Sequence, residues 1–140
     1  MSQKKILVVD DDPDIRLGLR VRLNANHYDV VCAGDGVAGI SEALKHMPDL
    51  MILDLGLPDG DGFSVLERMK ANEKTASIPV IVYSGQDPVA NRDRALKAGA
   101  KTFLQKPMEH GKLLAVIRFI LDAKDHPPAS PFSVEADRQE

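Results

Sequence analysis

The sequence predicts an α/β fold, a five-stranded parallel sheet doubly wound by five helices. Short apolar runs recur five times, separated by longer stretches whose apolar residues return every three or four positions, so strands and helices alternate. The runs are apolar along much of their length rather than alternating, which suits strands covered on both faces, and the connections between elements are short.

Lys5-Ile6-Leu7-Val8-Val9 is the first strand and stops at Asp10-Asp11-Asp12-Pro13. Pro13 fits the first turn of a helix and Asp12 its N-cap, so Asp12 has a structural role that Asp10 and Asp11 lack. Ile15, Leu19 and Leu23, with Leu17 and Val21 nearby, mark the first helix, which ends near Asn24-Ala25-Asn26. The second strand, Tyr28 to Ala33, closes at Gly34-Asp35-Gly36, and a helix runs through Val37, Ile40 and Leu44 to Met47-Pro48, where the proline ends it.

Asp49 to Leu55 is the run around which the chain is organised, because it delivers Asp54 to a loop punctuated by Pro58, Gly60 and Gly62. Ligands of open parallel sheets bind beyond the carboxyl ends of the strands, where this carboxylate falls. Taken alone, Asp54 equally suits capping the turn that follows. Phe63, Leu66 and Met69 define the third helix, and Ile78 to Tyr83 the fourth strand, ending at Ser84-Gly85. Asp87-Pro88 opens a fourth helix of little bulk that stops at Gly99, so it is expected to be loosely anchored. Thr102 to Gln105 is a short fifth strand followed at once by Lys106-Pro107. The last helix carries a wide stripe of Leu113, Leu114, Val116, Ile117, Ile120 and Leu121, and from Lys124 the chain turns polar and proline-rich, so residues 125–140 are expected to be mobile.

Composition narrows the function classes. A chain of 140 residues with 44% hydrophobic content suits one domain with a real core and leaves no room for a second. The net charge of -3, from 18 basic and 21 acidic residues, gives no general field for a polyanion, so direct nucleic-acid binding is not expected. No signal peptide or membrane-length apolar span is evident, and the only cysteine, Cys32, reads as a small buried strand residue in a protein of the reducing cytoplasm. The four histidines, His27, His46, His110 and His126, lie off the strand ends without ligand spacing, and no dinucleotide-binding glycine motif follows the first strand.

The strand ends together present Asp10, Asp11, Asp54, Ser84 and Lys106. Carboxylates gathered at one edge repel one another unless a hard divalent cation binds among them, and few oxygens with room for water favour Mg²⁺. A hydroxyl, an ammonium and backbone N–H groups around the remaining space suit a phosphoryl group, with Asp54 as the nucleophile toward phosphorus.

On these residues the chain resembles the receiver domains of two-component response regulators over roughly residues 4–123, leaving 124–140 as a flexible tail. The resemblance is carried by Ile6-Leu7-Val8-Val9-Asp10-Asp11, Leu53-Asp54-Leu55-Gly56-Leu57-Pro58 with Asp61-Gly62, Ser84-Gly85, and Gly99-Ala100 ahead of Phe103 and Lys106-Pro107. It implies a flavodoxin-like sheet in the order 2-1-3-4-5 and a stand-alone signalling switch rather than a metabolic enzyme. Asp54 is then the phosphoacceptor, supplied by a histidine kinase or phosphotransfer protein. Mg²⁺ is held by Asp11, Asp54 and the backbone carbonyl of Gly56, with Asp10 acting mostly through water. The resemblance further implies that Ser84, Gly85 and Lys106 bind the phosphoryl group, that Lys106 pairs with Asp54 beforehand, and that its bond to Pro107 is cis. Ser84 and Phe103 would move inward together as the switch. The output is an unknown protein partner, with a possible weak dimer on activation, and the domain assists its own phosphotransfer and dephosphorylation. Asp12, Asp59 and Asp61 read as capping or loop groups.

This chain departs from the family's common residues at Ser84 for Thr, Gly85 for Ala and Phe103 for Tyr, none of which removes a needed group. Gly56 and Gln86, two residues beyond Asp54 and Ser84, occupy positions that influence phosphoryl lifetime in the family. Phe103 also fits ordinary core. Two other function classes stand beside the receiver: a small-molecule phosphotransferase or phosphatase, which would need a second acid near Asp54 where Gly56 stands, and an interaction module that is never phosphorylated.

Overall fold

A computed structural model describes residues 3–58 and 62–125. The chain divides into two units, residues 1–108 and 109–140. The first holds β1 (Lys5–Val9), α1 (Pro13–Ala25), β2 (Asp29–Ala33), α2 (Gly36–His46), β3 (Leu50–Leu53), α3 (Gly62–Ala71), β4 (Val80–Ser84), α4 (Pro88–Lys97) and β5 (Thr102–Gln105). The described part of the second is essentially one helix, α5 (His110–Asp125).

The five strands are all parallel, in the order β2-β1-β3-β4-β5. β1, β3 and β4 are internal and read as almost unbroken runs of buried aliphatic residues, because side chains leave such strands on both faces and both are covered. Leu7, Val9, Met51, Leu53, Val80, Val82 and Phe103 form one face, in a core shared with Ala43 of α2, Phe63, Leu66 and Met69 of α3, and Ala95 of α4. Ile6, Val8, Leu50, Ile52 and Ile81, offset by one position, are equally buried toward the other face, where α1 packs over β1 and β2.

Helix starts follow the expected chemistry. The Asp12 carboxylate accepts from the Asp14 amide with Pro13 in the first turn, Asp35 accepts from Ala38, and Asp87 accepts from Val89 ahead of Pro88. β4 begins at Val80, two residues later than the apolar run suggests, since Pro79 has no N–H for the ladder and the Ile78 amide is spent on the Thr75 carbonyl. α5 runs to Asp125, with Leu113, Ile117 and Leu121 buried and Leu114, Val116 and Ile120 half-buried. Of the tail expected over 124–140, residues 124 and 125 belong to α5, and the expectation for 126–140 and the Asp59 and Asp61 readings lie outside the described residues.

The reading of Cys32 as a buried strand residue needs correction, and two helices bury only part of the apolar residues that mark them. In α2, Ile40 packs partly buried against the core and Val37 is 66% and Leu44 39% exposed, while the fully buried residues are Gly36, Gly39 and Ala43. The helix sits so close to β1 that a Cβ on Gly39 would stand 3.0 Å from a Val9 methyl, and only small residues fit that approach. In α1, Leu19 and Leu23 are buried, but Leu17 and Val21 point to solvent. Cys32 is a free thiol only half-buried, because β2 is an edge of the sheet.

The fourth helix buries only Ala95, as its sparse bulk suggests, yet Arg94 lays its guanidinium 3.7 Å from the centre of the Phe63 ring and so ties α4 to α3. Gly99 closes the helix at φ +114°, a conformation open to glycine, and packs on the Lys70 stem, whose ammonium donates to the Ala76 and Ile78 carbonyls.

Candidate functional site

The strand register builds the site. Val9 pairs with Leu53, so the residues that follow, Asp10 and Asp54, emerge side by side. The ladder continues one step past the strands, with the Asp10 amide donating to the Ala33 carbonyl and the Asp54 amide to that of Val9. From β1 the chain passes to β2 on one side and later to β3 on the other, so a crevice opens between β1 and β3 where ligands of this architecture bind. On the far side Ser84 pairs with Gln105, and the next residue, Lys106, donates its amide to the Ser84 carbonyl.

Each carboxylate is held. Asp10 is 3% exposed, and its Oδ1 accepts from the Asp12 amide at 2.9 Å. Asp54 Oδ1 accepts from the Gly56 amide at 3.2 Å. Asp11 is exposed. One oxygen from each of Asp10, Asp11 and Asp54 lies within 4.8 Å of the others, a spacing and an all-oxygen donor set that fit a hard divalent cation such as Mg²⁺. The sequence reading of three converging acids is thus realised in space.

Lys106 extends into this group from β5's end. Its Nζ is 3.4 Å from Asp54 Oδ2, the pairing that the resemblance implies, and closer still, at 2.7 Å, to Asp10 Oδ2. The Lys106–Pro107 bond is cis. Burial pushes the Asp10 carboxyl above its ordinary value, only partly offset by the Lys106 hydrogen bond, the Asp12 amide and the Lys106 charge, while Asp54 pushes it further up. Burial alone would lower Lys106, but the hydrogen bond and charge of Asp10, with those of Asp54, outweigh it and raise the ammonium. The opposite balances have one origin: the ammonium faces two carboxylates, whereas Asp10 faces one cation and one like charge.

Ser84 is fully buried, and its Oγ accepts from the Gln86 amide at 3.2 Å. Among the described residues, no heavy atom beyond Gly85 and its two chain neighbours stands within 4 Å of where a Cβ on Gly85 would be. Phe103 is 4% exposed and belongs to the core between sheet and α4. A Cβ on Gly56 would meet the Gln86 side-chain Nε2 at 3.7 Å and both Asp54 carboxylate oxygens at 3.9 Å, so the Gln86 side chain borders the same space as the carboxylate. Gly62 must lack a side chain: its Cβ would stand 2.6 Å from the Asp54 carbonyl oxygen and from the Leu55 Cα.

Two neighbours escape a reading by motif. The Arg16 guanidinium donates to the Asp10 carbonyl at 2.7 Å. Tyr83, one residue before Ser84, accepts the Met108 amide at its hydroxyl, and its ring lies near Lys106. The available signal was a hydroxylated aromatic in an otherwise aliphatic buried strand, since a buried phenol needs a polar partner. His27 is exposed and His46 pairs with Glu42, so neither joins the site.

The response regulator receiver domain family model matches residues 6–118. The DNA-binding dual master transcriptional regulator RpaA of Synechocystis is 37% identical over 124 residues, covering 89% of this chain and 52% of that protein. The transcriptional regulatory protein KdpE of Mycobacterium tuberculosis is 38% identical over 113 residues, covering 81% of this chain and 49% of KdpE. The chain thus spans about half the length of these relatives. Among solved structures, a CheY-like receiver domain protein from Methanospirillum hungatei superposes with a TM-score of 0.85 at 28% identity, over 91% of this chain and all of the other. With its parallel 2-1-3-4-5 sheet and its acids and lysine at the strand ends, the chain belongs to the response regulator receiver domain family of two-component systems.

Proposed function

We propose that Asp54 accepts a phosphoryl group from a phosphohistidine of a histidine kinase or phosphotransfer protein in a Mg²⁺-dependent step, within a receiver domain spanning residues 4–123. The observation that carries this reading is the convergence of three carboxylate oxygens within 4.8 Å, with the Lys106 ammonium 3.4 Å from Asp54. An Asp54 oxygen forms the bond to phosphorus as the P–N bond breaks and imidazole leaves with the electron pair. Asp11, Asp54 and the Gly56 carbonyl, with Asp10 acting mostly through water, would hold Mg²⁺, which would supply positive charge for the phosphoryl oxygens. Lys106 turns from the carboxylates to the phosphoryl oxygens, and Ser84, buried at the end of β4, donates its hydroxyl.

Replacing a carboxylate by a dianionic phosphoryl group attracts Ser84 and Lys106, and the gain in those contacts biases the fourth-strand loop and Phe103 toward one conformation. The output is then a changed protein-binding surface on the domain. RpaA and KdpE carry further sequence beyond the matched segment, so a longer chain could pass the change to another domain.

The test is intact-mass measurement after incubation with a small phosphodonor, with and without Mg²⁺, alongside Asp54→Asn. One added phosphoryl group that requires Mg²⁺ and is lost in Asp54→Asn is expected. A folded wild-type chain that takes up no phosphoryl group from either the donor or a kinase overturns the reading.

A further inference from the structure

We propose that Tyr83 is a positioning residue for Lys106, bracing its ammonium with the ring face and its loop with the phenol hydroxyl. This rests on the reading of Asp54 and Lys106 given above.

Lys106 stands just beyond β5, and a free lysine side chain has substantial rotamer entropy to lose when fixed. Three contacts from the end of β4 restrain residues 106–108. The Ser84 carbonyl accepts the Lys106 amide at 2.8 Å, and the Tyr83 hydroxyl accepts the Met108 amide at 3.1 Å. The Lys106 ammonium lies 5.7 Å from the centre of the Tyr83 ring, within the range of a cation–π contact. The ammonium thus has carboxylates at 2.7 and 3.4 Å and an aromatic ring as a further neighbour.

Tyr83 is well suited to this. It is only 7% exposed, and its backbone is locked in register with Leu104 of β5. A rigid ring with two side-chain torsions links the ammonium of residue 106 to the main chain of residue 108. An aliphatic residue at position 83 would fill the core but offer neither the hydroxyl nor the quadrupole. Misplacing a catalytic cation by about 1 Å costs rate even when binding persists, so the effect belongs on the chemical step.

The experiment compares the full chain with Tyr83→Phe, Tyr83→Leu and Ile81→Val, the last a packing control two residues back on the same strand and face. Hydrogen exchange at the Met108 amide, the ring-current shift of the Lys106 ε-methylene protons, thermal stability, and Mg²⁺-dependent uptake from phosphoramidate are measured. Tyr83→Phe should speed Met108 exchange about tenfold while keeping the Lys106 shift. Tyr83→Leu should lose both and lower the saturating phosphorylation rate about fivefold, with half-saturation for donor and Mg²⁺ within about twofold of wild type. Ile81→Val should lower stability without moving any of the three local readouts.

Retention of the wild-type Lys106 shift in Tyr83→Leu overturns the proposal, as does a rate loss that Ile81→Val reproduces in proportion to its stability loss. If the wild-type chain takes up no phosphoryl group, it is the Asp54 reading that fails, and the proton shift and amide exchange still decide whether Tyr83 holds Lys106.

Discussion

Lys106 Nζ is closer to Asp10 than to Asp54, at 2.7 Å against 3.4 Å, because Asp10 is the deeper carboxylate, with 4% of its side chain exposed against 12%. The ammonium therefore supports the acid whose charge is most costly to bury. Burial still dominates at Asp10, whose carboxyl lies above its ordinary value of 3.8. Since folding favours the protonated form, ionised Asp10 costs stability above its raised pKa, and the cost vanishes as pH falls below 3.8. In metal-free buffer, Asp10→Asn should be more stable than wild type near neutral pH. Urea unfolding as a function of pH should show that advantage disappearing below pH 3.8.

Two lysines give alkaline slopes of opposite sign. Lys106 is raised above its ordinary 10.5, so its contribution is complete below that pH and is lost as pH climbs through its higher folded value. Lys70 is lowered by burial and by the nearby Lys101 charge, so the unfolded chain holds its proton longer and stability rises as pH approaches 10.5 from below. Unfolding curves of wild type, Lys70→Met and Lys106→Met should separate the terms: Lys70→Met removes the rise below pH 10.5, and Lys106→Met removes the fall above it.

Gly62→Ala places a Cβ 2.6 Å from the main chain of Asp54 and Leu55, atoms that cannot swing aside as a side-chain end can. The expected cost is about 2–3 kcal/mol in chemical denaturation, with displacement of Asp54. Phosphoryl uptake should therefore fall further than the stability loss alone explains, measured where both proteins are folded.

Arg94 covers the Phe63 ring at 3.7 Å, and Ala95 is the only fully buried residue of α4. Arg94→Ala should cost about 1 kcal/mol and speed amide exchange within α4 more than in β4 or β5. Uniform acceleration across these elements would refute a local tether.

The candidate site was legible because a parallel sheet sends every strand end to the same edge, so reading where five runs stop is enough to collect Asp10, Asp11, Asp54, Ser84 and Lys106. The elements were legible through the length and spacing of their apolar residues, and the start of α1 through Asp12 and Pro13. Periodicity located α2 but not its buried face: Val37, Ile40 and Leu44 carry the bulk, but Gly36, Gly39 and Ala43 are the fully buried residues. A hydropathy pattern registers size and apolarity, not the distance from helix to sheet.

Sequence by itself determined the alternation of elements, the helix caps and the kinds of chemical group at the strand ends, since these depend on local propensity and a period of two or of three to four residues. Only the tertiary structure decided which acid Lys106 favours, that Tyr83 reaches Met108, and that Arg94 lies over Phe63. The first turns on 2.7 Å against 3.4 Å, and all three join groups far apart in the chain, whose distances are set by strand register and packing rather than local propensity.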